Sequence, residues 1–141
     1  MCGIDKNEKE KIKTMIDNFL IINFTGNNNI LGLRVDKKFI VEKIQNNSNI
    51  NEILVNKIMD FLKKNETKID KSFSIIVNQG PGSFSSIRVS LAVAKGIKIS
   101  TGASLFGYKD IQLRDFNLEN IEELINKNLL ENKLIKPVYL S

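Results

Sequence analysis

The sequence predicts an α/β fold carried by one mixed sheet, and three observations predict it. Three short apolar segments near the start are separated by turn residues and read as an antiparallel meander. Two later segments repeat apolar residues at three- and four-residue steps, as amphipathic helices do. Each of these helices is followed by a short apolar run, the signature of strands reached by crossover helices. At 141 residues and 42% hydrophobic, the chain can fill one ordinary core.

The elements follow in chain order. Residues 7–18 are rich in lysine and glutamate, with Ile12, Met15 and Ile16 at near-helical spacing, and predict a short helix or loosely held tail. Phe19–Phe24 is a nearly continuous apolar run, as expected of a strand covered on both faces. Gly26 and Asn27, Asn28 and Asn29 then supply turn chemistry. Residues 30–35 read as the second strand, Asp36 and Lys37 as a tight turn, and 38–44 as the third strand. Asn47, Ser48 and Asn49 offer caps for a helix over 50–65, whose apolar positions are Ile50, Ile53, Leu54, Ile58, Phe61 and Leu62. A strand over 73–77 follows. After the Gly80-Pro81-Gly82 turn, Ser83 or Ser85 caps a second helix, 85–100, with Ile87, Leu91, Ala94 and Ile97 on one face. Gly102 closes that helix, and residues 104–108 begin the last strand. Leu118 to Leu130 reads as one further helix, and Pro137 opens an extended tail that ends at Ser141.

Composition narrows the chemistry. A formal charge of +5 suits an acidic partner, but the cations are mostly scattered lysines, and only Arg34, Arg88 and Arg114 offer a planar fork. No stretch interleaves arginine with aromatics as single-strand binders do, so direct nucleic-acid binding is not expected. With no histidine and the single cysteine Cys2, the sequence holds few zinc ligands and cannot form an intrachain disulfide. No apolar run approaches the roughly 20 residues of a membrane span, and the first residues lack a signal-peptide core, which predicts a cytoplasmic protein without membrane contact.

The segment Gly80-Pro81-Gly82-Ser83 joins a strand to a helix, where backbone N–H groups and the positive helix end can hold an anion. Its spacing fits neither the Walker pattern, since no Lys-Ser/Thr pair follows the glycines, nor the dinucleotide fingerprint, since the third glycine is missing. The competing reading is a purely structural turn in which the glycines let the helix approach the sheet.

A longer string is more specific. Gly80-Pro81-Gly82-Ser83-Phe84-Ser85-Ser86-Ile87-Arg88, followed by Ala92, Ala94-Lys95-Gly96 and Phe106-Gly107, resembles the signature of the TsaB (YeaZ) family. The ending Lys136-Pro137-Val138-Tyr139-Leu140 is similar to that family's C-terminal Pro-x-Tyr-Leu-Arg. The resemblance implies an actin-like (ribonuclease H-like, ASKHA) N-terminal domain over 19–108, preceded by a charged extension over 1–18 and followed by a reduced C-terminal segment over 109–141. It also implies a non-catalytic scaffold in tRNA threonylcarbamoyladenosine synthesis. On that model the chain pairs with the catalytic subunit TsaD, the ATPase TsaE docks on the pair, and tRNA is met only through the complex. ATP and a metal ion are then expected on the partner subunits and none on this chain. The interface would use Ser85, Arg88, Val89, Ala92, Ala94, Lys95 and Gly96, with Ser90 among the small residues that allow close approach. Alone, such helices are expected to self-pair into a homodimer.

The sequence departs from the family at informative places. Asn23-Phe24-Thr25 stands where the family has a strand ending in Asp-Thr, so a carboxylate near the would-be phosphate site is lost. Ser85-Ser86 replaces Thr-Gly, which keeps a hydroxyl and adds a side chain. Two other readings compete with the scaffold. One is an actin-like nucleotide-binding enzyme fragment, motivated by the glycine turn. The other is a hydrolase with Cys2 as N-terminal nucleophile, as in glutamine amidotransferases, which a Cys2→Ala variant would test.

Overall fold

The run Phe-Leu-Ile-Ile-Asn-Phe has no polar face until Asn23, and the computed structural model places it where both faces need cover. The structure describes residues 17–45, 50–132 and 135–138. The expected helix or tail over 7–18 for the most part, Cys2, the caps Asn47, Ser48 and Asn49, and the ending Tyr139-Leu140-Ser141 lie outside the described residues.

Five strands are formed: β1 Phe19–Phe24, β2 Asn29–Val35, β3 Lys38–Lys43, β4 Ser74–Asn78 and β5 Ser104–Tyr108. They lie in the order β3-β2-β1-β4-β5. β1 pairs antiparallel with β2, with Ile21 opposite Gly32, and β2 pairs antiparallel with β3. On its other side β1 pairs in parallel with β4, which in turn pairs in parallel with β5. The α/β class and mixed sheet hold, but the meander is no separate unit, because β1 is also the strand at which the sheet changes sense. Strand bounds shift by a residue from the expected ones, since ladder bonding rather than hydrophobicity sets where a strand ends: Asn29 joins β2, Ile44 leaves β3, and β4 runs from Ser74 to Asn78.

Strand alternation divides the sheet's side chains between two cores. Leu20, Ile22, Phe24, Leu31, Leu33, Ile75, Val77 and Leu105 face one side, where α1 (Ile50–Lys64) and α2 (Phe84–Thr101) cover them with Leu54, Ile58, Phe61, Ile87, Leu91 and Ala94. Phe19, Ile21, Ile76, Phe106 and Tyr108 face the other, covered by Ile121 and Leu124 of α3 (Leu118–Asn126) and flanked by Phe39 and Phe116. α3 is shorter than the expected 118–130: Lys127 is its C-cap and Asn128 turns left-handed.

The boundary expected at residue 108 is therefore not a boundary in packing. Residues 113–130 supply the cover for the second face, so they belong to the same layered unit as the sheet. Ile135 reaches the first core as well.

Candidate functional site

The carboxyl ends of β1, β4 and β5 meet at a crevice of about 260 Å³, lined by Asn23, Thr25, Asn27, Asn28, Pro81, Gly82, Asp110, Leu113, Arg114 and Phe116. Ligands of open α/β sheets bind in such a position, beyond the carboxyl ends of the strands. Its floor is a polar network of buried Asn23, Asn78 and Tyr108, with the exposed Asp110 at its edge. Asn78 Nδ2 donates to Asn23 Oδ1 at 2.8 Å and to Asp110 Oδ1 at 3.0 Å. Tyr108 donates its hydroxyl to the same Asn23 Oδ1 at 2.7 Å, and Asn23 Nδ2 donates to the Asn28 carbonyl at 2.9 Å. Burial, with Asp110 nearby, pushes the Tyr108 hydroxyl well above its ordinary pKa of 10.0, so it remains a donor.

Asp110 is a correction to the sequence reading. The carboxylate missing from the end of β1 is supplied to the same crevice from the segment after β5. Its backbone N–H donates to the Gly80 carbonyl at 2.8 Å, which ties it to the glycine turn. No sequence signal marked it, because it lies 30 residues beyond Gly80 with no motif around it.

The turn itself is built by close approach. Gly80 has φ +104° and Gly26 has φ +94°, a region that L side chains rarely enter. A Cβ on Gly26 would lie 2.6 Å from Ser83 Cβ, and one on Gly82 would lie 2.9 Å from the Thr25 carbonyl oxygen. The glycine turn thus docks directly on the turn after β1. Two of its amides are committed: Ser83 N donates to the Thr25 carbonyl at 2.7 Å, and Gly80 N to Asn78 Oδ1 at 2.7 Å. Ser83 is the N-cap residue of α2, yet its side chain makes no cap hydrogen bond. An anion-holding loop needs those N–H groups free and converging, so the geometry favours the structural turn.

The residues expected at a partner interface separate into two sets. Arg88, Ala92, Lys95 and Gly96 are exposed along one stripe of α2, at the spacing that puts side chains on a common face. A Cβ on Gly96 would meet nothing within 4 Å. Arg88 lies over the Phe84 ring, 5.2 Å from its centroid. Ser85 is exposed and accepts from Asn51 Nδ2 at 2.9 Å, while Val89 is half-buried against the first core.

Ala94 and Ser90 are corrections: both are fully buried, because they fall on the face that α2 turns to the sheet, and neither can touch a partner. Ser86 is also buried and donates to Asn51 Oδ1 at 3.2 Å. The side chain added at this position thereby ties α2 to α1. The sequence reading missed Asn51, and it missed the exposed apolar residues Val55, Met59, Phe84 and Ile99. Val55 and Met59 are four residues apart on α1, a second exposed stripe. A groove of about 720 Å³ runs between the two helices near their C-terminal ends, with Ile58, Met59, Leu62, Ile69 and Ile97 in its lining.

Among the described residues no cluster of His, Cys, Asp or Glu is suited to hold a metal ion, and no helix is long and apolar enough to cross a membrane.

Comparison with known proteins bears out the resemblance read from the glycine segment. The chain is 37% identical over 68 residues to the tRNA threonylcarbamoyladenosine biosynthesis protein TsaB of Buchnera aphidicola subsp. Baizongia pistaciae. That match covers 48% of this chain and 30% of the relative. No family model matches. In fold the chain is similar to YeaZ from Pseudomonas aeruginosa, with TM-score 0.62 and 15% identity over 70% of this chain and 46% of that one. A second Pseudomonas aeruginosa structure, described as an uncharacterized protein with similarity to peptidase YEAZ, gives the same TM-score of 0.62 with 45% of that chain covered. The chain thus spans less than half the length of these three proteins.

Proposed function

We propose that this chain is a non-catalytic scaffold in tRNA threonylcarbamoyladenosine synthesis, acting by presenting the α1–α2 face to a catalytic subunit of the TsaD type. The observation that carries the reading is the paired stripe itself. Val55 and Met59 on α1 and Ala92, Gly96 and Ile99 on α2 are all exposed, on two helices that pack against each other over one face of the sheet. Large apolar side chains left exposed among the described residues mark an interaction surface, and small residues on the same helical face admit a close helix. Similarity to TsaB over 68 residues supports the pathway, and the YeaZ-like fold supports the architecture.

The crevice supports no reaction of its own. Asp110 stands there without a second carboxylate or a histidine, so neither an acid–base pair nor a metal cage can be assembled from the residues lining it. The nucleotide-binding reading meets the same obstacle at the turn, where the Gly80 and Ser83 amides are consumed by Asn78 and Thr25.

Gel filtration with a purified TsaD-type subunit tests the proposal. A 1:1 complex is expected with the native chain, weakened at least about tenfold by Ala92→Glu, since a charge buried without a partner costs more than about 1.4 kcal/mol. If the native chain never co-elutes with that subunit, the scaffold reading is wrong. Whether an ATPase of the TsaE type joins the pair is read from the same experiment with that protein and ATP added. Calorimetric titration of ATP and magnesium into the chain alone is expected to give no saturable heat.

A further inference from the structure

The ending singled out in the sequence has a place in the fold that the scaffold role does not use. Residues 135–138 run back to the glycine turn and grip the residue in front of it. Gln79 is held on three sides. Its N–H donates to the Tyr108 carbonyl at 2.7 Å, its carbonyl accepts from Val138 N at 2.7 Å, and its side-chain Nε2 donates to the Lys136 carbonyl at 3.0 Å. The Gln79 side chain lies flat on Gly107, where a Cβ would come within 2.5 Å of its Oε1. A Cβ on Gly80 would collide with the Val138 carbonyl. Ile135 anchors the segment in the first core, while Lys136 is exposed and Pro137 and Val138 are half-buried.

We propose that residues 135–138 form a releasable strap that sets the Gly80-Pro81-Gly82 turn, so that lifting the strap changes both the crevice and the bearing of α2. The turn is the joint of three parts. Through Gly80 N and O it is bonded to Asn78 and Asp110 of the crevice, through Ser83 N to the turn after β1, and through Gln79 to the strap. Pro81 and Gly82 line the crevice and Ser83 is the first residue before α2, so a change in the turn reaches both. The strap itself belongs to no strand or helix. Among the described residues two hydrogen bonds to Gln79 and the buried Ile135 side chain hold it, whereas β1 and β4 are bonded along their length on both sides. Local opening selects such lightly held segments and leaves the sheet intact.

Native-state amide hydrogen exchange on the full chain tests this. Val138→Pro removes the donor to the Gln79 carbonyl and suits an extended segment that already holds Pro137. The amides of Gly80 and Ser83 are expected to exchange at least about tenfold faster in this variant, with Ile21 and Leu33 of β1 and β2 unchanged. Ile135→Ala, which loosens the anchor instead of the bond, is expected to give the same local pattern. Unchanged exchange at Gly80 and Ser83 in both variants would overturn the proposal, because the turn would then hold its shape without the strap. Equal acceleration in β1 and β2 would overturn it too, because residues 135–138 would then be part of the global core and not a releasable element.

Discussion

Asn23 shows how much one atom can decide. An amide gives and receives at once: its Oδ1 takes bonds from Tyr108 and Asn78, while its Nδ2 gives one to the Asn28 carbonyl. A carboxylate cannot give. Asn23→Asp, the change towards the family pattern, would set an anionic oxygen against the Asn28 carbonyl and is expected to cost about 2 kcal/mol at neutral pH. The new carboxyl would be held with a raised pKa, and its protonated form can donate, so the deficit should narrow as pH falls towards and below about 4. Urea denaturation of both chains at the two pH values checks this.

Tyr108 tests the same network from the other side. Its folded pKa lies above the ordinary 10.0, so the stability it contributes is complete below that value and declines as pH climbs past it. Tyr108→Phe should lose about 1 kcal/mol at pH 7 and flatten the alkaline decline, as read by denaturation at stepped pH. At Gly26, where both φ and space demand glycine, Gly26→Ala should cost on the order of 1–3 kcal/mol. Circular-dichroism melting would show it.

The elements were legible where periodicity was strong. The run at β1, the 3.6-residue spacing of α1 and α2, and Gly102 closing α2 are all legible in the sequence. What periodicity does not encode is which stripe of a helix meets its own sheet. Ala94 and Ala92 are indistinguishable as residues, yet one is wholly buried and the other exposed, because two positions along a helix turn the side chain through about 200°. The polar network was hidden for a different reason: Asn23, Asn78, Tyr108 and Asp110 are brought together by strand register, which joins residues up to 85 apart in the chain. At this scale the exposed stripe makes a prediction. Met59→Asp should leave the melting temperature within a few degrees, because the side chain is 61% exposed, while weakening the complex with a TsaD-type subunit several-fold in a titration.

For the molecule as a whole, the decisive feature is that the segment after β5 covers the second face of the sheet. Without α3, Phe19, Ile21, Ile76 and Phe106 would stand in water. Ile121→Ala is therefore expected to cost 2–5 kcal/mol, as large a loss as a substitution in the first core, measured by urea denaturation.

The order β3-β2-β1-β4-β5 leaves the sheet with two margins, and each is guarded differently. Beyond β5, Gly107 exchanges two backbone hydrogen bonds of 2.8 Å with Glu131. β3 instead carries Lys38, Glu42 and Lys43 along a strand with no residue fully buried. Charges on a margin discourage another chain from zipping onto it, a common route to aggregates. Self-assembly along the sheet is thus discouraged at both margins, so an encounter made on the helical face need not grow into a polymer.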